Sequence, residues 1–309
     1  MKRMRPNTIE LVEVGPRDGL QDESGLLPTP VKIEFIRKLA AAGLGRIEVT
    51  SFVHPKRVPQ MADAEAVLSG LGNLPGVRLS ALILNERGFD RAIATEALHE
   101  ITFVVVASET FCQRNQGATI RENLEIWRTI SRRAEEAGLS RSVTLAASFG
   151  CPFEGEVPVS RVVELAEAIG EIGTDELSLA DTIGVGTPAD VEERFSAVAG
   201  ALPDLPLRAH FHNTRNTGYA NADAAIRCGV RALDASLGGI GGCPFSPGAT
   251  GNIGTEDLVY MLDRSGVETN ASFAALREAT LWLEDKMGRR LPAHAAHVRT
   301  FPSSPSNPT

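Results

Sequence analysis

His210 and His212 stand two apart in the run Leu207-Arg-Ala-His-Phe-His-Asn213. In an extended strand that spacing turns both imidazoles to one side, and two converging ring nitrogens form half of a site for a divalent metal. Without context the pair reads equally well as two histidines that happen to be close. Asp18 is the natural third ligand, because a carboxylate adds the negative charge that a hard cation needs; its alternative is to cap a short turn through Gly19. Arg17 is permanently cationic and suited to stabilising an oxyanion. Glu48 can hold that guanidinium in place, and the competing reading of the two is a structural ion pair, which apolar packing often replaces without loss.

The segment from Ser236 to Gly254 holds seven of the 29 glycines of the chain in 19 residues. Such density implies close backbone approach to a ligand, or a mobile flap. Cys243 lies within it, flanked by Gly242 and Pro244, and is a candidate thiol acid or nucleophile. Asn252, in the same loop, offers an amide oxygen and is a candidate fourth ligand, although an amide there also stabilises tight turns. Cys112, Cys151 and Cys228 are scattered and lack CxxC spacing, which suggests neither a disulfide framework nor a zinc finger.

These residues need elements to position them. Short β-branched runs alternate with amphipathic stretches along nearly all of the 309 residues, the pattern of βα units around a parallel sheet. Strands are expected at 8–14, 46–52, 78–85, 100–108, 142–149, 176–182, 207–213 and 231–237. Helical patterns fall near 30–42, 61–70, 88–97, 119–137, 158–170, 188–200, 217–228 and 255–265. Eight units of this size predict an α/β fold, a (β/α)8 barrel, with its chemistry at the C-terminal ends of the strands. Arg17, Asp18, Glu48, Asp181, Thr182 and both histidines all belong to that rim. Gly15-Pro-Arg-Asp-Gly19 after the first strand is not a dinucleotide fingerprint. Thr29-Pro30 and Thr187-Pro188 read as helix starts, and Gly43, Gly229 and Gly266 as left-handed helix ends. A further helix near 271–289 forms a C-terminal helical extension. Residues 1–289 are thus one barrel domain, and 290–309, ending in Pro302-Ser-Ser-Pro-Ser-Asn-Pro308, are read as a disordered tail.

Composition narrows the partners. Lys and Arg total 31 against 39 Asp and Glu, a net charge of −8, and no basic run is long enough for an arm, which argues against nucleic acid. Apolar runs fall short of a membrane span, and the start Met-Lys-Arg-Met-Arg has no apolar stretch behind it. A cytoplasmic protein is expected, with a homo-oligomer left open.

Taken together, Val12-Glu-Val-Gly-Pro-Arg-Asp-Gly-Leu-Gln-Asp-Glu23, Ile47-Glu-Val-Thr-Ser-Phe-Val53, Asp181-Thr-Ile-Gly-Val-Gly-Thr-Pro188, and Gly239-Ile-Gly-Gly-Cys-Pro-Phe245 through Gly251-Asn-Ile-Gly254 to Leu262 closely resemble the 3-hydroxy-3-methylglutaryl-CoA lyase family. The resemblance covers about residues 8–265. It implies a divalent-metal barrel, using Mg2+ or Mn2+, that splits an acyl-CoA, 3-hydroxy-3-methylglutaryl-CoA, into acetyl-CoA and acetoacetate. By motif, Asp18, His210, His212 and Asn252 resemble the metal ligands, Arg17 the enolate stabiliser, Glu48 its positioning partner and Cys243 the flap thiol. Either Asp18 or His210 serves as the base. Gln21, Ser51, Asp181 and Thr182, in the same motifs, are expected to bind substrate.

Departures from the family pattern cluster at the rim. Strand 7 reads His212-Asn-Thr-Arg-Asn216 where the family carries His-Asp-Thr and Tyr-Gly, Ala180 stands for a glycine, and His54 for a serine. Arg215 is then either a solvated rim arginine with no role or a guanidinium that reaches a second carboxylate or polar extension of a related substrate. Two rivals are a Claisen-type synthase, which shares the Arg-Asp-Gly and His-x-His motifs but usually continues into an accessory region, and a barrel that binds its ligand without catalysis.

Overall fold

The computed structural model describes residues 6–242, 251–298 and 301. Within them eight parallel strands close into a barrel in the order β1 to β8, with no crossover. They are β1 (Glu10–Glu13), β2 (Arg46–Ser51), β3 (Arg78–Ile83), β4 (Glu100–Val106), β5 (Ser140–Ala146), β6 (Glu176–Asp181), β7 (Leu207–Phe211) and β8 (Ala232–Ala235). The helices are α1 (Thr29–Ala41), α2 (Ala64–Leu71), α3 (Glu86–Ile93), α4 (Glu109–Gln116), α5 (Ile120–Glu136), α6 (Val159–Ile172), α7 (Pro188–Ala201), α8 (Gly218–Arg227), α9 (Thr255–Arg264) and α10 (Phe273–Met287). Each strand expected from sequence is present, though shorter. No helix among the described residues is long and apolar enough to cross a membrane.

Helix ends show which local signals were read correctly. Thr187 accepts from the Asp190 amide while Asp190 reaches back to Thr187, a capping box that fixes the start of α7. Thr29 does not cap: α1 begins on it after Pro28, and its hydroxyl donates to Asp63 instead. Gly43, Gly229 and Gly266 all adopt positive φ. Helix α4 has no counterpart among the sequence expectations, because ETFCQRNQ is polar on most sides and buries only Phe111 and Cys112. Ser108 caps it by accepting from the Phe111 amide.

The main apolar core lies between strands and helices, where Phe35, Phe89, Phe103, Trp127 and Phe195 are buried. Inside the barrel the floor is charged. Arg46 on β2 donates to Glu100 on β4, Glu176 on β6 and Glu10 on β1. Arg208 on β7 lies 3.4 Å from Glu176 and 3.3 Å from Asp234 on β8. Buried charges of this kind persist only when each meets its opposite.

The expectation of a tail from residue 290 is corrected over 290–298. Leu291, Ala293 and Ala296 are buried, and Ala293 donates to the carbonyl of Gly238 at 2.9 Å. Leu291 lies so close beneath Gly238 that a Cβ there would meet it at 2.4 Å. Proline and serine at the extreme end gave the segment its disordered look, while three apolar side chains upstream of them have a core to join.

Candidate active site

β1 runs into the turn Gly15–Gly19, wound as a single wide π-type turn in which the amides of Arg17 and Gly19 both return to the carbonyl of Val14. Pro16 can open such a turn because it needs no amide partner. A side chain at Gly19 would strike Ile240 at 2.6 Å, so glycine is required where the turn packs on the glycine-rich loop. Glu13 locks this corner: buried, it accepts from the amides of Gly15 and Leu237 and from the Thr255 hydroxyl. Burial pushes the Glu13 carboxyl up to about 7 despite those three bonds, which work the other way.

The turn delivers Arg17 and Asp18 to a cavity of about 650 Å3 at the barrel mouth, also lined by Glu48, His210, His212 and Asp234. Arg17 donates from Nε to Glu48 and from Nη1 to Asp18. Burial alone would lower the Arg17 pKa, but Glu48 and Asp18 raise it well above its ordinary value. Burial likewise acts to raise that of Asp18, yet Arg17 and the two histidines hold its carboxyl well below the usual carboxylate range. Arg17 is thus a fixed, fully charged donor.

One carboxylate oxygen of Asp18 and one nitrogen of each of His210 and His212 all lie within 4.8 Å of one another, and the three residues are buried. His212 Nε2 is 3.8 Å from Asp18 Oδ2, and its Nδ1 has no hydrogen-bond partner. Two imidazoles and a carboxylate, buried and converging, form a donor set that fits a divalent ion. Asn252 reaches this cluster as a donor, from Nδ2 to Asp18 Oδ2 at 2.8 Å and to the carbonyl of Ile240 at 3.2 Å. In that orientation it supports Asp18; as a ligand it would turn its Oδ1 inward and give up both bonds.

Asp234 was missed by the sequence reading. Its Oδ2 lies 3.1 Å from His210 Nδ1, the outer carboxylate that fixes the orientation of a metal-binding imidazole. Burial opposes protonation of His210, but Asp234 and then Asp18 raise its pKa above the usual value. Arg208 in turn holds Asp234 low against the effect of burial. The available signal was an acid inside the apolar run Leu233-Asp-Ala235, on the strand next to the paired histidines.

The remaining expectations separate. Gln21 and Thr182 line the cavity, Thr182 while its Oγ1 accepts from the amide of Ala147, a residue of positive φ. Asp181 accepts with its two oxygens from the amides of Val185 and Gly186 at 3.0 and 2.9 Å, so it pins the turn after β6. Ser51 is buried with its Oγ unpartnered and is not among the lining residues, although a register shift between Glu48 and Thr50 reverses the alternation and pairs it with Leu82, which lines the cavity. Arg215 is not among the residues that line the cavity. It is exposed and donates from Nη1 to the carbonyls of Ile183 and Gly184, tying two loops together. Cys243 lies outside the described residues; its neighbour Gly242 lines the cavity.

Comparison with known proteins bears on the same residues. The HMGL-like family model matches residues 8–281. The chain is 41% identical to hydroxymethylglutaryl-CoA lyase YngG of Bacillus subtilis, over 97% of this chain and 99% of that protein. It is 42% identical to the mitochondrial hydroxymethylglutaryl-CoA lyase of Bos taurus, over 95% of this chain and 90% of that one. An HMG-CoA lyase from Acinetobacter baumannii, solved in complex with coenzyme A and 3-methylmalate, superposes with a TM-score of 0.90 at 37% identity, covering 96% of this chain and 98% of its own.

Proposed function

Since the chain belongs to the HMGL-like family, we propose that it is a carbon–carbon lyase cleaving 3-hydroxy-3-methylglutaryl-CoA to acetyl-CoA and acetoacetate, with Mg2+ or Mn2+ as its ion. The observation that carries this reading is the meeting, in one cavity, of the Asp18, His210 and His212 donor set with the fixed guanidinium of Arg17.

Breaking the bond between C2 and C3 of such a thioester leaves a pair of electrons on the acetyl fragment, and these are stable only as an enolate on the thioester oxygen. Arg17, oriented by Glu48 and unable to lose its proton, stabilises that oxygen as charge develops. The C3 hydroxyl proton leaves toward Asp18 and His210, the acceptors that adjoin the guanidinium of Arg17. Asp234 keeps the His210 ring in place through Nδ1. Asp18, His210 and His212 would hold the ion, which supplies Lewis acidity at the hydroxyl and ketone oxygen. Two imidazoles, a carboxylate and no thiolate suit a hard octahedral ion better than structural zinc. Cys243 is assigned the proton returned to the acetyl fragment.

The test is acetoacetate and acetyl-CoA release from 3-hydroxy-3-methylglutaryl-CoA by protein stripped of metal and then reloaded with Mg2+ or Mn2+. Cleavage restored by the ion supports the reading. Full activity in the stripped protein overturns the metal assignment, and no cleavage under any loading overturns the lyase.

A further inference from the structure

β7 keeps its partner β6 as far as Phe211, but it parts from β8 before the metal donors are reached. The two pair at Arg208 with Ala232 and at Ala209 with Leu233, and their ladder ends there, one residue short of His210. The opening is filled by the run 251–254, the C-terminal end of the glycine-rich segment. On one side this run bridges Asn252 to His212, and the Ile253 amide donates to the carbonyl of Phe211. On the other it bridges Gly254 to Ser236, which follows β8. It is a wedge bonded along both edges, and it carries the Asn252 amide to 2.8 Å from Asp18.

What anchors the wedge lies outside the cavity. The amide of Gly254 donates to the hydroxyl of Tyr219 on α8 at 2.9 Å, and that hydroxyl donates to Asp257 Oδ2 on α9 at 2.9 Å. Asp257 also accepts from the amides of His294 and Ala295, so one hydroxyl joins the wedge, α9 and the segment 290–298. Burial, with Asp257 beside it, pushes the phenol well above its ordinary pKa, which keeps the proton that it gives to Asp257. The fit around it is close. A Cβ at Gly254 would meet that of Ala293 at 2.8 Å, and one at Gly218, which opens α8, would meet Ile253 at 2.5 Å. Tyr219 itself is not among the residues that line the cavity. Its bond nonetheless falls on the backbone two residues from Asn252, which in extended chain is the next position on the same face.

We propose that Tyr219 is a positioning residue for the metal site: through Gly254 it holds the wedge where Asn252 meets Asp18, with the segment 290–298 braced behind it through Asp257. This rests on the reading of Asp18, His210 and His212 as ion ligands and adds a residue from outside the cavity.

The experiment titrates metal-stripped protein with Mn2+, reading the free ion by electron paramagnetic resonance at a temperature where circular dichroism shows every variant folded. The set is the unaltered chain, Tyr219→Phe, Asn252→Ala, the double variant, and Thr119→Ala, which removes the distant cap of α5. Tyr219→Phe should weaken Mn2+ binding about three- to tenfold, the worth of one hydrogen bond. Thr119→Ala should lower the melting temperature as well, yet leave Mn2+ affinity within about twofold. Added to Asn252→Ala, the change Tyr219→Phe should cost less than about twofold more, because the group it positions is already gone. Should Asn252→Ala bind too weakly to titrate, the milder Asn252→Ser replaces it in the cycle. Should Tyr219→Phe fail to fold, Asp257→Ala, which frees the hydroxyl from its brace, carries the same comparison. Unchanged affinity in Tyr219→Phe, or an equal loss in Thr119→Ala, overturns the inference and leaves the metal site standing. A full additional loss in the double variant overturns the route through Asn252. No Mn2+ binding by the unaltered protein overturns the metal reading and this inference with it.

Discussion

The β7–β8–β1–β2 side of the cavity and the β3–β6 side are made of the same structural unit but obey different rules. On the first, polar groups are held by others behind them: Arg17 by Glu48, His210 by Asp234, Asp234 by Arg208, and the turn itself by Glu13, while His212 Nδ1 has no such partner. On the second, Leu82, Val104, Val106, Ala146 and Ala180 line the cavity with the hydroxyls of Thr144 and Thr182 among them. A substitution on the charged side should therefore change the chemical step, and one on the apolar side should change which substrate is chosen.

The largest expected break is at Arg17. Its target oxygen carries full charge only as the bond breaks, so Arg17→Lys should lower kcat by roughly 10² or more with little change in KM, the scale of a lost oxyanion donor; steady-state kinetics check this, and a loss confined to KM would make Arg17 a mere anchor. His212→Ala should reduce Mn2+ affinity and activity together, read by titration of the ion with electron paramagnetic resonance beside the rate. Asp234→Asn should cost about 10- to 100-fold in ion affinity or activity, less than removing a ligand, because His210 remains but loses its fixed orientation. If Asp234→Asn matched wild type in both, the layered account of the charged side would fail.

A smaller effect belongs to pH and stability. Glu13 and Glu256 are both raised to about 7 by burial. Between their ordinary pKa of 4.5 and that value the native state binds more protons than the unfolded chain. Unfolding free energy should then fall as pH rises from about 5 to 7. Glu13→Gln, which keeps the side chain's shape and stays neutral, should remove part of that slope in urea titrations, with Glu256 and Asp22, also raised to about 7, supplying the rest. The least effect is expected at Thr144→Val, on the apolar side, where kcat for 3-hydroxy-3-methylglutaryl-CoA should change less than about threefold in steady-state assays.

Much of the charged side was legible because its signals are local. Arg17-Asp18-Gly19, the His-x-His pair and the glycine cluster are each short, and the alternation of βα units placed them at one rim. What escaped was set by contacts distant in sequence. Asp234 is 24 residues from the imidazole it orients, and Glu13 bonds to Leu237, which is 224 residues away. Asp181 and Arg215 were harder to place for a related reason. An acid or arginine at a strand end looks the same whether it faces substrate or the amides and carbonyls of its own turn. The apolar wall gave no signal at all, since Leu82, Val104 and Val106 belong to runs that any buried strand would show.

The charged floor bears on how the barrel can be assembled and divided. Arg46 draws its partners from β1, β4 and β6, and Arg208 from β6 and β8, so the ion pairs stitch together strands from both halves of the chain. A fragment ending after β4 would keep Arg46 with Glu10 and Glu100 but lose Glu176, and the complementary fragment would keep Glu176 with Arg208 but lose Arg46, so each half gives up part of its buried charge network. Two separately produced half-barrels should therefore be poor folders alone and should recover structure on mixing. Shuffling such halves between relatives would succeed only where the arginine and its acids travel together.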